Sequence, residues 1–160
     1  MKLSRLLVGF GCIAITAVVR ADAPAGQYAP FDKDNTTIVD NFTGLTWQRN
    51  ATGAATWLGA KLACSGMGMR LPTLKELLTL VDENPHVEYI GGMNVSKMID
   101  RDAFPNANVA QPYWTQTPAQ RTSGVTTKAF AVDFSTGLTA TGVSDGNSDV
   151  QVSLPFRCVK

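Results

Sequence analysis

Cys64-Ser65-Gly66-Met67-Gly68-Met69-Arg70 is the first stretch whose residue types and spacing could do chemistry. Two glycines one apart, just ahead of a helix, suggest a loop that cradles phosphate. That fingerprint needs a third glycine where Leu71 stands, and a strand rather than a helix in front of the loop. His86 is the only histidine. It follows Pro85 at a helix end, and nothing in its spacing suggests a Ser/His/Asp triad. One histidine and two cysteines make a poor zinc site. Asp145-Gly146-Asn147-Ser148-Asp149 places oxygen ligands at alternate positions, as hard cations prefer. It lacks the glycine and the final glutamate of an EF-hand loop and reads as a polar hairpin turn. Calcium therefore has no complete motif. The sequence offers no catalytic set and leads us to expect no metal and no cofactor.

Ligand recognition is better served by residues 85–112. Their periodicity is weak, and Gly91-Gly92, Pro105, Asn106 and Asn108 interrupt it. Tyr89, Asp100, Arg101, Asp102, Asn106 and Asn108 offer an aromatic ring, charges and amides. Such a set suits a sugar or a polar peptide surface, because a ring face stacks while fixed polar groups orient. The competing reading of each residue is loop structure or plain solvation.

These residues must be carried by a chain of 160, a length that suggests one domain. Lys2 and Arg5 precede an uncharged, mostly apolar run from Leu6 to Val19, followed by Ala21-Asp22-Ala23. This is the pattern of a secretory signal over residues 1–23, with cleavage after Ala21 or Ala23. The run is short for a transmembrane helix, so no membrane span is expected after cleavage. Removing Lys2, Arg5, Arg20 and Asp22 takes the formal charge from +1 to −1. A near-neutral chain has no bulk attraction for nucleic acid or anionic membrane. Cys12 leaves with the signal. Cys64 and Cys158 remain, and an even pair in an exported chain reads as a disulfide. The alternative is two free buried thiols.

Residues 24–36 read as an extended lead-in, and 37–160 as the domain. Thr37–Asp40 and Leu45–Arg49 read as strands joined by Asn41-Phe42-Thr43-Gly44. Thr56 can cap a helix from Trp57 to about Cys64. Pro72 disfavours helix at Leu71. Thr73 and Glu76 then form a capping box for a second helix, whose Leu74, Leu77, Leu78 and Val81 share one face. Arg70 reads as a paired structural arginine beside this start. Tyr113–Thr115, Phe130–Phe134 and Leu138–Thr141 carry strand signals. Val150, Val152, Leu154 and Phe156 alternate with Gln151, Ser153, Pro155 and Arg157, and that period puts Cys158 on the apolar face. Early helices and late strands with short turns indicate an α+β domain with a mainly antiparallel sheet.

The motifs resemble a bacterial family. Val39-Asp40-Asn41 and Thr43-Gly44-Leu45-Thr46-Trp47-Gln48 are similar to its opening signature, and Arg70-Leu71-Pro72-Thr73 with Glu76-Leu77 to its centre. Phe104-Pro105-Asn106, Tyr113-Trp114-Thr115, Val132-Asp133-Phe134 and Arg157-Cys158-Val159 follow in its order. The family is DUF1566, also named for the C-terminal domain of bacterial collagen-like adhesins (Lcl_C). Met69 departs from its usual tryptophan, and Asp32–Thr37 lacks the glycines common there. The resemblance implies a C-type-lectin-like fold related to the formylglycine-generating enzymes, with two early helices on the sheet and a long irregular loop. Those enzymes use paired cysteines with copper, whereas Cys64 and Cys158 already have a scaffold role. The resulting expectation is an exported, non-catalytic binding module for a glycan or cell-surface partner. An enzyme of the formylglycine-generating type, or a structural subunit of a surface assembly, is the alternative.

Overall fold

In the computed structural model, residues 23–30, 34–139 and 147–160 are described. Residues 1–22 of the signal-like stretch, Asp32-Lys33 and the Asp145-Gly146 half of the calcium-like stretch lie outside them.

The first sheet forms where the sequence places two strands. β2 (Thr37–Asp40) and β3 (Thr46–Gln48) pair antiparallel around the Asn41–Gly44 turn. Asp40 is buried and closes that turn: its Oδ1 accepts from Phe42 N at 2.9 Å and its Oδ2 from the Thr43 hydroxyl at 2.8 Å. The lead-in supplies β1 (Tyr28–Pro30), paired with β2. β4 (Thr52–Ala55) leads into α1 (Trp57–Gly66), where Thr56 accepts from Gly59 N as N-cap.

α2 (Leu74–Leu78) starts at its capping box but stops after five residues. Beyond it, Leu80 N and Val81 N donate to carbonyls three residues back, and Asp82 N donates to Met98 O at 2.9 Å. Leu80 and Val81 still pack inward, so the apolar face expected of a longer helix is kept without helical backbone.

Residues 85–112 differ most from expectation. They contain a hairpin, β5 (His86–Ile90) and β6 (Met93–Lys97). Gly91 and Gly92 both have positive φ, 59° and 88°, as a two-residue hairpin turn with primed geometry requires. The glycines that read as breakers are therefore the turn itself.

β7 (Tyr113–Thr122) and β8 (Val125–Asp133) form the longest pair, flanked by β9 (Leu138–Thr139) and β10 (Asn147–Asp149). Tyr113 pairs with Val132 on one face, against Ile38, Trp47, Leu77, Phe104 and Val159. Trp114 pairs with Ala131 on the other, against Ala60, Cys64, Leu71, Leu154, Phe156 and Cys158. A core on each side explains why these strands carry apolar residues at both parities. β11 (Leu154–Phe156) pairs with β4. The last residues lie between two segments: Val159 exchanges backbone bonds with Arg70, and Lys160 with Thr46.

The α+β, C-type-lectin-like expectation is therefore corrected. Antiparallel pairing holds throughout, but the described chain is mostly β, with eleven strands in four small sheets and two helices of 10 and 5 residues. The two short helices pack on opposite faces of the β7–β8 pair, α2 through Leu77 and α1 through Ala60 and Cys64.

Cys64 and Cys158 are bonded, 94 residues apart. A loop of that size stabilises by about 4 to 5 kcal/mol through the unfolded state. Urea unfolding with and without reductant should differ by about that amount, and a difference below about 1 kcal/mol would contradict a structural role.

Candidate functional site

The Arg70–Glu76 joint is the most completely bonded charged set. Arg70 Nη1 and Nη2 donate to the two Glu76 carboxylate oxygens at 2.7 and 2.8 Å, a bidentate pair. Glu76 Oε2 also accepts from Thr73 N at 2.8 Å, and Thr73 Oγ1 accepts from Glu76 N at 3.2 Å. Pro72 leaves its carbonyl to Gln116 N at 2.7 Å, and Leu74 N donates to the Thr117 hydroxyl. The arginine holds the Glu76 carboxyl well below its ordinary value of 4.5, at about 2. These bonds tie the segment before α2 to β7 through Gln116 and Thr117, so the joint serves the scaffold.

The structure divides the six ligand candidates. Asp100 Oδ1 accepts from Ala103 N at 2.7 Å and closes the turn that delivers Phe104 to the core. Asn108 Oδ1 accepts from Ala110 N, and Asn108 N donates to the Tyr113 hydroxyl at 2.7 Å. Asn106 Nδ2 donates to Asn50 Oδ1 at 3.0 Å. Arg101 and Asp102 are exposed, with Arg101 Nε 3.9 Å from the Asp102 carboxylate. Asp100 and Asp102 help line a cavity of about 260 Å³ with Tyr28, Asn35 and Arg49. Tyr89 is not a wall of that cavity. It stands on the β5–β6 hairpin, opposite Asn94 in register. The six do not form one site.

Sequence reasoning missed two features. The first is Arg157, which the strand alternation placed opposite the core face. It is fully buried, because both faces of the surrounding layers are covered. Its Nη1 donates to Gln48 O and, at 2.6 Å, to Arg49 O, and its guanidinium lies 4.4 Å over the Phe104 ring. Burial pulls its pKa down to about 10, so it stays charged. Tyr28 and Tyr113 beside it are pushed up by burial. The Tyr28 phenol is raised further by Asp40, Asp100 and Asp82.

The second is the exposed hairpin. Tyr89 is 76% exposed, Met93 69% and Val87 62%. By register Val87 and Tyr89 lie on one face with Ser96 and Asn94, while Met93 and Ile90 share the other with Glu88, whose carboxylate is 2.6 Å from Lys97 Nζ and 3.3 Å from His86 Nε2. Lys97, more than His86, holds Glu88 below the usual carboxylate range. The His-Val-Glu-Tyr-Ile and Met-Asn-Val-Ser-Lys alternation around Gly-Gly was the available signal. Among the described residues, no three His, Cys, Asp or Glu side chains are grouped to hold a metal ion, and no helix is long and apolar enough to cross a membrane.

Residues 36–159 match the family model described as the Lcl C-terminal domain. No curated protein and no solved structure matches the chain.

The pH dependence of the Arg70–Glu76 joint has a definite sign. A carboxyl whose folded pKa lies below its unfolded one stabilises above the unfolded value, and that gain is lost as pH falls from about 4.5 toward 2. Arg70 is 42% exposed, so solvent screening limits the pair to about 1 kcal/mol. Glu76→Gln should be less stable than the parent at neutral pH in urea unfolding, and the gap should close toward pH 2. A gap constant with pH would contradict the assignment.

Proposed function

Because the chain belongs to the Lcl C-terminal domain family, a bacterial extracellular domain type, we propose that it is an exported, non-catalytic binding module. Its partner is a glycan or a protein at a cell surface, and its contact element is the β5–β6 hairpin.

The observation that carries this reading is the exposure of Val87 and Tyr89 as neighbours on one face of the two-stranded ribbon, with Ile90 and Met93 exposed at its tip beside the Gly91-Gly92 turn. Contiguous exposed apolar surface is unfavourable in water and marks interaction sites. Tyr89 lies beside Asn94 on the exposed face, which pairs an aromatic ring with an amide. The Lys97–Glu88 ion pair on the other face holds the ribbon's shape before a partner arrives. Export agrees with the Cys64–Cys158 disulfide, since such bonds persist in oxidising compartments. The same bond supports the non-catalytic reading, because it leaves neither cysteine free for oxidase chemistry.

The test uses the processed protein on a glycan array and against cell-surface extracts. At least one saturable binder is expected. Val87→Ser with Tyr89→Ser, neighbours on one face, should weaken it about tenfold or more at unchanged Tm, as loss of central apolar anchors does. Silence in both formats, or binding indifferent to the double substitution, would reject the hairpin as the contact.

A further inference from the structure

A second outward feature lies beside α1. Thr56, Trp57 and Leu58 from its first turn, Val125 and Thr126 from β8, and Val150 and Gln151 after β10 enclose a cleft of about 310 Å³. From this lining we infer that the cleft is a binding site for a single uncharged sugar ring. The inference rests on the binding-module reading but not on the hairpin.

Three observations carry it. The first is accessibility. Trp47 and Trp114 are fully buried, whereas Trp57 is only half-buried and forms a wall of the cleft. Leu58 and Val125, on either side, are largely exposed.

The second is rigidity. The indole N–H of Trp57 donates to Thr115 O at 2.7 Å, its backbone N–H to Val150 O at 3.1 Å, and Val150 N to Thr127 O at 3.2 Å. Lys61, one helical turn on, holds its ammonium 4.4 Å from the ring centroid and is not a wall of the cleft. The ring is therefore oriented before a ligand arrives, which lowers the entropy lost on binding.

The third is chemistry. The polar walls are Thr56, Thr126 and Gln151, which are hydroxyls and an amide, and none of the seven lining residues is ionisable. A charged ligand would lose water and gain no counter-charge from the lining, while the Lys61 ammonium nearby is already engaged on the indole ring. A purely aliphatic one would leave those polar groups without partners. A pyranose has an apolar face for the indole and hydroxyls at its edge for the threonines and glutamine. The volume is at the small end for ligand pockets, about 300 to 1,000 Å³, which limits the occupant to one ring.

The processed full chain is titrated separately with methyl α-glucoside, methyl α-mannoside, methyl β-galactoside and N-acetylglucosamine, with glucuronate and leucine amide as charged and aliphatic controls. Tryptophan fluorescence reports, because Trp57 alone of the three tryptophans is open to solvent. At least one neutral sugar should give a saturable change in the millimolar range. Gln151→Ala and Thr126→Val should each weaken it about three- to tenfold, the scale of one hydrogen bond. No change with any of the four sugars, tighter response to either control, or a response unaltered in both variants overturns the inference. If a variant fails to fold, the parent titrations still decide. A silent titration with intact surface binding rejects the cleft alone. A working titration with no surface binding rejects the hairpin alone.

Discussion

The burial of Arg157, Cys158 and Val159 is the constraint on which the rest of the structure depends. Arg157, Cys158 and Val159 are each fully buried, and their side chains serve different layers. Val159 packs in the cluster with Trp47, Leu77 and Tyr113, while Cys158 lies in the cluster with Trp114 and Ala60 and is bonded to α1. Their backbone is paired on both sides, to Arg70 and to Thr46 and Gln48. One short segment therefore joins the first sheet, both cores and the start of α2, elements that are far apart in sequence.

Arg157 is the demanding part of this arrangement. A buried cation is costly unless its donors are satisfied. Here Nη1 is compensated by the Gln48 and Arg49 carbonyls and the cation by the face of Phe104, while Nε and Nη2 are buried without a hydrogen-bond partner among the described residues. Asp40, also buried, is already committed to the Phe42 and Thr43 turn. The guanidinium thus fixes the end of β3 through the Gln48 and Arg49 carbonyls. With the interior bonded in this way, the groups left for partners lie outside it, on the β5–β6 ribbon and in the Trp57 cleft.

Much of this was legible because the signals were local. Thr56 caps α1, the Thr73–Glu76 box starts α2, and the Phe130–Phe134 alternation marks β8. The cysteine pairing followed from compartment and periodicity. The overall class was misjudged because the second helix was read at its full apolar length, although the chain leaves helical bonding after Leu78 to meet Met98. The hairpin was hidden because Gly-Gly reads equally as a breaker and as a turn. Arg157 was placed outward because a period of two cannot say whether both faces are covered. The six ligand candidates were grouped by proximity in sequence, yet Asp100 and Asn108 serve their own turns while Tyr89 stands on the ribbon. Tertiary context decided each of these, and no local pattern encodes it.

Native-state hydrogen exchange on the oxidised protein tests the central role of the C-terminal segment most directly. Five backbone amides cross between that segment and its neighbours, and four of them, Thr46, Gln48, Arg70 and Val159, precede the terminal residue. These four should exchange only through global unfolding and be among the slowest in the chain, while amides of the β5–β6 ribbon exchange faster by local opening. If those four exchange as fast as the ribbon, the segment is a peripheral strand and does not hold the domain together.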